Sequence, residues 1–114
     1  MTSPNEGISG VYREMAIAWS HLSSEPRKAN IAFRKHHVFA KAIRATAEGQ
    51  QAILDLLNDS SEVVRLLAAT DALKFSPDEA IRVLEELEQG STLYAVDAEY
   101  TIRGFRDGTL DLDW

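Results

Sequence analysis

Three histidines, eighteen carboxylates and no cysteine are the groups in this 114-residue chain that could carry polar chemistry. Without cysteine there is no thiolate zinc site, no cysteine nucleophile and no disulfide scaffold. The histidines are His21, His36 and His37. Neighbours on a helix point about 100° apart, so His36 and His37 cannot chelate one metal from a single helical segment. The phosphate-cradling GxxxxGK[ST], the dinucleotide GxGxxG and the zinc-binding HExxH are all missing from the sequence. No catalytic residue, cofactor or metal site is assigned on these grounds.

Two residues keep a chemical reading beside a structural one. His36 falls in the middle of an apolar helical face, where it is either a hydrogen-bonded core histidine or a base or ligand turned inward. Asp71 sits one turn after Leu67, close to another apolar stripe. It is either one half of a structural ion pair, with Arg103 or Arg106 as partner, or an acid facing a ligand. His37 lies on a basic face near Arg34, Lys41 and Arg44.

The formal charge of −6 is unevenly spread. Residues 26–47 carry six bases (Arg27, Lys28, Arg34, Lys35, Lys41 and Arg44) and no acid, whereas residues 48–114 carry fifteen acids and five bases. The basic segment either neutralises the acidic remainder of the molecule or docks an anionic partner. Duplex nucleic acid is disfavoured as that partner because the whole domain is acidic. No apolar run approaches the ~18 residues of a membrane span, and residues 1–6 have neither the basic start nor the apolar core of a signal peptide. Cysteine-free composition suits a reducing compartment, so a cytoplasmic location is expected.

The elements that must position these groups are helices. No stretch alternates apolar and polar residues for long, and apolar residues recur at three and four instead. A flexible stretch over 1–7 precedes a single helical domain over 8–108, and an acidic tail over 109–114 follows it. The first helix is expected over about Ile8–Leu22, with Val11, Met15, Ala18 and Leu22 as its stripe, widened by Trp19. Ser24 caps a second helix from Pro26 to Ala47, whose inner face holds Ala29, Ala32, Phe33, His36, Phe39, Ala40, Ile43 and Ala47, and Gly49 stops it. A third helix covers Gln50–Asn58. Asp59 caps a fourth that runs to about Phe75, with Glu62 three residues on. Ser76-Pro77-Asp78-Glu79 starts a fifth that ends at Gly90. The sixth covers Leu93–Phe105, with Gly108 after it. The second helix also carries an outer apolar stripe (Ile31, Val38, Ala42 and Ala45) among Arg34, Lys35 and Lys41. That stripe is either covered by the first helix through Tyr12 and Trp19 or offered to a partner.

Internal similarity is the most specific pattern. Ile53-Leu54-x-x-Leu57 recurs as Val83-Leu84-x-x-Leu87, a shift of 30, and Ala42-Ile43 recurs as Ala72-Leu73 with the same shift. Ala98 and Ile102 stand thirty residues after Ala68 and Ala72. Each unit reads as a helix, a turn, a second helix and a turn. One such pair cannot bury its own apolar face, so copies must stack.

Asp59-Ser60-Ser61-Glu62-Val63-Val64-Arg65-Leu66-Leu67-Ala68-Ala69-Thr70-Asp71-Ala72-Leu73 resembles a HEAT repeat. The stretch from Val64 to Leu87 looks like the core of a small bacterial family of HEAT-like domains of unknown function. The resemblance is sharp over about 59–105 and implies an all-α fold: a short right-handed α-α superhelix of helical pairs with an N-terminal capping helix. It also implies a structural ladder in which Asp59, in the turn between units, and Arg65, six positions later, hydrogen-bond along the stack. The first unit departs, with Ala29 and Lys35 at those positions, as does the third, with Gln89 and Ala95, so only one junction can carry the ladder. HEAT-like phycobilin lyases share the Val-Arg-x-x-Ala-Ala-x-x-Ala-Leu core.

The function expected is a non-catalytic protein-interaction module without cofactor. One candidate surface is Arg34, Lys35, Val38 and Lys41. The other is acidic, built by Glu85, Glu86 and Glu88 with Asp55, Asp97 and Glu99. An acidic protein of this size suits an immunity or antitoxin role against a basic effector, because complementary charge speeds association. The rival is an enzyme or ligand carrier of the lyase type, with His36, Asp71 or Tyr100 in a concave groove.

Overall fold

The computed structural model describes residues 4–111, with side chains from residue 7 onward. Among these residues all regular structure is helical: α1 (Pro4–Ser20), α2 (Pro26–Arg44), α3 (Ala47–Asp55) continued by a 3-10 turn (Leu56–Asn58), α4 (Glu62–Ala72), α5 (Pro77–Glu88) and α6 (Tyr94–Asp107). None of these helices is long and apolar enough to cross a membrane.

The breaks between helices follow local chemistry. Pro26 and Pro77 occupy first-turn positions, where the missing N–H costs nothing. Ser61, rather than Asp59, is the N-cap of α4 and accepts from Val64 N at 3.5 Å. Neither Glu25, the residue before α2, nor Ser76 before α5 makes a side-chain cap bond, although Ser76-Pro77-Asp78-Glu79 does mark the start of α5. Gly108 takes the left-handed conformation after α6 (φ 78°), which glycine reaches without a Cβ penalty.

Gly49 does not stop α2, which ends at Arg44. It lies inside α3, where its N–H donates to the capping Thr46 Oγ1 at 2.9 Å. A Cβ built on it would stand 1.9 Å from the Ile43 carbonyl oxygen. The residue is glycine because the start of α3 presses against the end of α2.

α1 begins at Pro4, ahead of the expected Ile8, so residues 4–7 are helical. Nor does it merely cap one end: it packs against α2, α3 and α4, and Tyr12 and Ala16 are fully buried. The stripe expected to face inward is turned away from this buried line by about one residue step, 100°. Val11 is 43% exposed, Ala18 is exposed, and Met15 and Leu22 are half-buried. The inward line is Ile8, Tyr12, Ala16 and Trp19.

One core runs through the molecule. Ile53 and Leu57 from the α3 segment, Val64, Ala68 and Leu73 from the α4 segment, Val83, Leu84 and Leu87 from α5, and Ala98 and Ile102 from α6 are all buried in it. α5 packs against α4 and α6, and α4 also meets α6. The start of the tail folds back: Leu110 N donates to Gly104 O at 3.0 Å and its side chain packs on the core. Trp114 lies outside the described residues.

Candidate functional site

Asp71 is the centre of a buried polar cluster drawn from three helices. It comes from the last turn of α4, and the carboxylate accepts from Tyr12 OH (α1) at 2.5 Å and from Arg44 Nη1 (α2) at 3.3 Å. All three residues are buried. Arg103 and Arg106, the partners expected from sequence, are elsewhere: Arg103 pairs with Glu99 at 2.6 Å and Arg106 lies 4.0 Å from Glu85. Arg44, counted among the exposed bases, is therefore a core residue. It stands one helical turn after Ala40, and that i,i+4 step was the available signal of its inward direction.

His36 is also buried, with its ring 4.3 Å from that of Tyr12 in an edge-on arrangement. Its Nε2 is enclosed without a hydrogen-bond partner, as is Arg44 Nε. Burial and the neighbouring His37 pull the His36 pKa down to about 4, so the ring is neutral at pH 7. Burial pushes Asp71 upward, against the opposing pull of its hydrogen bond from Tyr12 and the charge of Arg44. Tyr12 is raised well above the ordinary phenol range, by burial first and by the adjacent carboxylate second.

His36 and Asp71 line a shared cleft between α2 and α4 with Phe33, His37, Leu67 and Thr70. Its volume is about 40 Å³, enough for a water and not for an organic substrate. Tyr100 is not part of it and stands 64% exposed on α6. Among the described residues no group of three or more His, Asp or Glu side chains could hold a metal ion.

The second arrangement is a surface. Arg34, Lys35, Val38 and Lys41 are exposed on α2. Val38 is 69% and Ile31 is 55% exposed, so α1 does not cover the outer stripe of α2. Tyr12 and Trp19 go to the inner face instead, against His36 and Phe33. Arg34, Lys35 and Lys41 make no ion pair among the described residues.

The acids read as a second surface are interspersed with arginines and divided between two hollows. Glu85, Glu86 and Glu88 are exposed on α5. Glu85 is near Arg106, and Glu88 and Glu99 border a hollow that also contains Arg103 and Arg106. Asp97 lines a different hollow, with Trp19 and Ala29.

Asp59 and Arg65 meet at the turn before α4. Arg65 Nη1 donates to the Asp59 carbonyl oxygen at 2.7 Å. The Asp59 side chain accepts from Ser61 N at 2.9 Å and from Arg13 Nε of α1 at 3.0 Å. The Arg13 contact ties this turn to α1, and nothing in the local sequence announced it.

Comparisons with protein-family models, with curated proteins and with solved structures find no match for this chain.

Proposed function

We propose that this chain is a non-catalytic protein-interaction module, built as a short HEAT-like stack and working through the outer face of α2. The observation that carries this reading is the exposure of Ile31 and Val38 among three cations that make no ion pair among the described residues. Apolar side chains bordered by uncompensated charge are what a docking face needs: area to bury and a field to orient the encounter. The HEAT-like reading is supported by the thirty-residue shift and by the Arg65–Asp59 bond. It is also supported by a hydrogen bond of 2.7 Å from Thr92, in the turn before α6, to Glu62, the first residue of α4, two positions separated by that same shift. A cytoplasmic setting suits the cysteine-free composition.

The acidic alternative, in which a basic effector meets Glu85, Glu86 and Glu88 as a target meets its antitoxin or immunity protein, has less support. Arg103 and Arg106 interrupt that field. The carrier or lyase-type alternative would use His36 and Asp71, whose cleft of about 40 Å³ is far below the ~300 Å³ of ordinary ligand sites.

The test compares proteins retained from native-host extract by wild type and by an Arg34→Ser, Lys35→Ser, Lys41→Ser variant. All three positions are exposed, so the melting temperature should hold. A partner lost in the variant, and released from wild type as salt rises, is the expected result. An unchanged partner list transfers the reading to the acidic side. No retained protein, together with a small molecule that raises the melting temperature, replaces it with the carrier class.

A further inference from the structure

The outward turn of α1 gives the α2 surface a second wall. Met15 and Ala18 of α1, with Leu22 of the turn that follows it, face Lys28, Ile31, Ala32 and Lys35 of α2 across a trough of about 340 Å³. Val11 and Val38 extend the same apolar strip on their respective helices. From Val11 to Ala18 the helical part of the strip is about 10 Å long, two turns, and Leu22 continues it past the end of α1. Two apolar stripes meet in one hollow whose charged lining is Lys28 and Lys35; Lys28 already pairs at the surface with Glu25 at 3.0 Å, an exposed contact that solvent weakens.

We infer that the trough between α1 and α2 receives an acidic amphipathic helix of a partner protein, with its apolar side on Met15, Leu22 and Ile31 and its carboxylates toward Lys28 and Lys35. The inference rests on the interaction reading above and names the partner's chemistry. Shape favours a helix, because an apolar ridge of residues spaced by three and four fits a hollow between two helices. Charge decides the sign. Residues 26–47 hold six bases and no acid, and five of the six, all but the buried Arg44, are on the surface. Charge also argues against a second copy seated face to face, which would bring Arg34, Lys35 and Lys41 of both chains together around a two-fold axis.

The probe is a fluorescein-labelled helical peptide of about four turns, with leucines at three- and four-residue spacing on one side and glutamates elsewhere. Two control peptides replace glutamate by lysine or leucine by serine. The glutamate peptide should bind, weaken with salt, and shift the amide resonances of residues 11–22 and 28–38. Both controls should bind about tenfold more weakly or worse. Ala18→Asp and Ile31→Asp place a charge in the trough at exposed positions, so the fold should survive. Each should weaken the glutamate peptide by about tenfold or more. Lys28→Glu with Lys35→Glu should reverse the preference toward the lysine peptide.

Equal binding of the lysine and glutamate peptides overturns the inference, as do shifts that map elsewhere or no binding at all. Sedimentation with phosphatidylserine vesicles while the acidic peptide is ignored would make the face a membrane surface. A dimer dissolved by Ile31→Asp would make it a contact between copies. A native partner lost on the Arg34, Lys35 and Lys41 substitutions, yet bound normally by both Ala18→Asp and Ile31→Asp, would leave the interaction reading standing and remove the trough.

Discussion

At Asp71 an ionisable side chain is held almost out of water, and its cost is offset by two donors that come from two other helices. Tyr12 and Arg44 lie 59 and 27 residues away in sequence, so the cluster fixes how α1, α2 and α4 sit together. Burying a carboxylate contributes to stability only when its oxygens are satisfied. His36 shares this environment without satisfying anything, since its Nε2 has no partner. Its folded-state pKa of about 4 lies below the ordinary 6.5, so the unfolded chain takes up the proton first. Stability from this group is complete above pH 6.5 and is lost as pH falls toward 4, by up to about 3 kcal/mol. The raised Asp71 works in the opposite direction, its protonation favouring the folded state as pH falls. The difference isolates His36: His36→Phe should gain in melting temperature relative to wild type as pH drops from 6.5 to 4. A constant difference across that window would mean that the ring charges freely in the folded protein.

Helix ends were legible in the sequence where a residue's own backbone chemistry decides them, as at Pro26, Pro77 and Gly108. They were misread where a tertiary contact decides them. Gly49 has the composition of a stop signal, yet it is glycine because Ile43 O occupies the space of a Cβ. Gly49→Ala should therefore separate α2 from α3 and cost at least the ~1–3 kcal/mol of an overpacked core, read as a fall in denaturation midpoint. Periodicity found two apolar stripes on α2 and turned the right one inward, whereas on α1 it found one stripe, and that stripe faces away from the core. On α1 the choice falls to Tyr12, whose hydroxyl needs a buried acceptor and finds Asp71. The same gap explains the site: the exposed α2 residues were legible as a charged stripe, whereas the α1 wall of the trough was assigned to the interior. The Arg65–Asp59 contact was expected from the HEAT resemblance, as a ladder along the stack; here Arg65 donates to the Asp59 main-chain carbonyl at the same turn. Arg65→Ala leaves the Asp59 carbonyl without that donor and should cost on the order of 1–3 kcal/mol. A midpoint unchanged by this substitution would show water replacing the guanidinium at no cost.

Over the whole molecule the question is whether the N-terminal helix is a detachable cap or part of one cooperative unit. A cap covers one exposed face and can be removed with a modest loss. Here α1 touches α2, α3 and α4, contributes the fully buried Tyr12 and Ala16, and brings Ile8, Ile17 and Trp19 against the same core. At roughly 1.5–3 kcal/mol for each large apolar side chain fully buried, with less for the half-buried ones, its removal approaches the 5–15 kcal/mol that is the whole stability of an ordinary domain. It would also strip Asp71 of the Tyr12 donor and Asp59 of Arg13. A chain beginning at residue 24 should therefore show no cooperative thermal transition by circular dichroism, although it retains every residue of the thirty-residue repeat. In the full chain, Leu84→Ala on α5 should lower one single transition, by about 2–5 kcal/mol, and should not create a second. A sharp melt in the truncated chain would show α1 to be a cap after all. It would also separate the α1–α2 trough from the rest of the fold, because the wall formed by Met15, Ala18 and Leu22 would then be an accessory to a stack that stands without it.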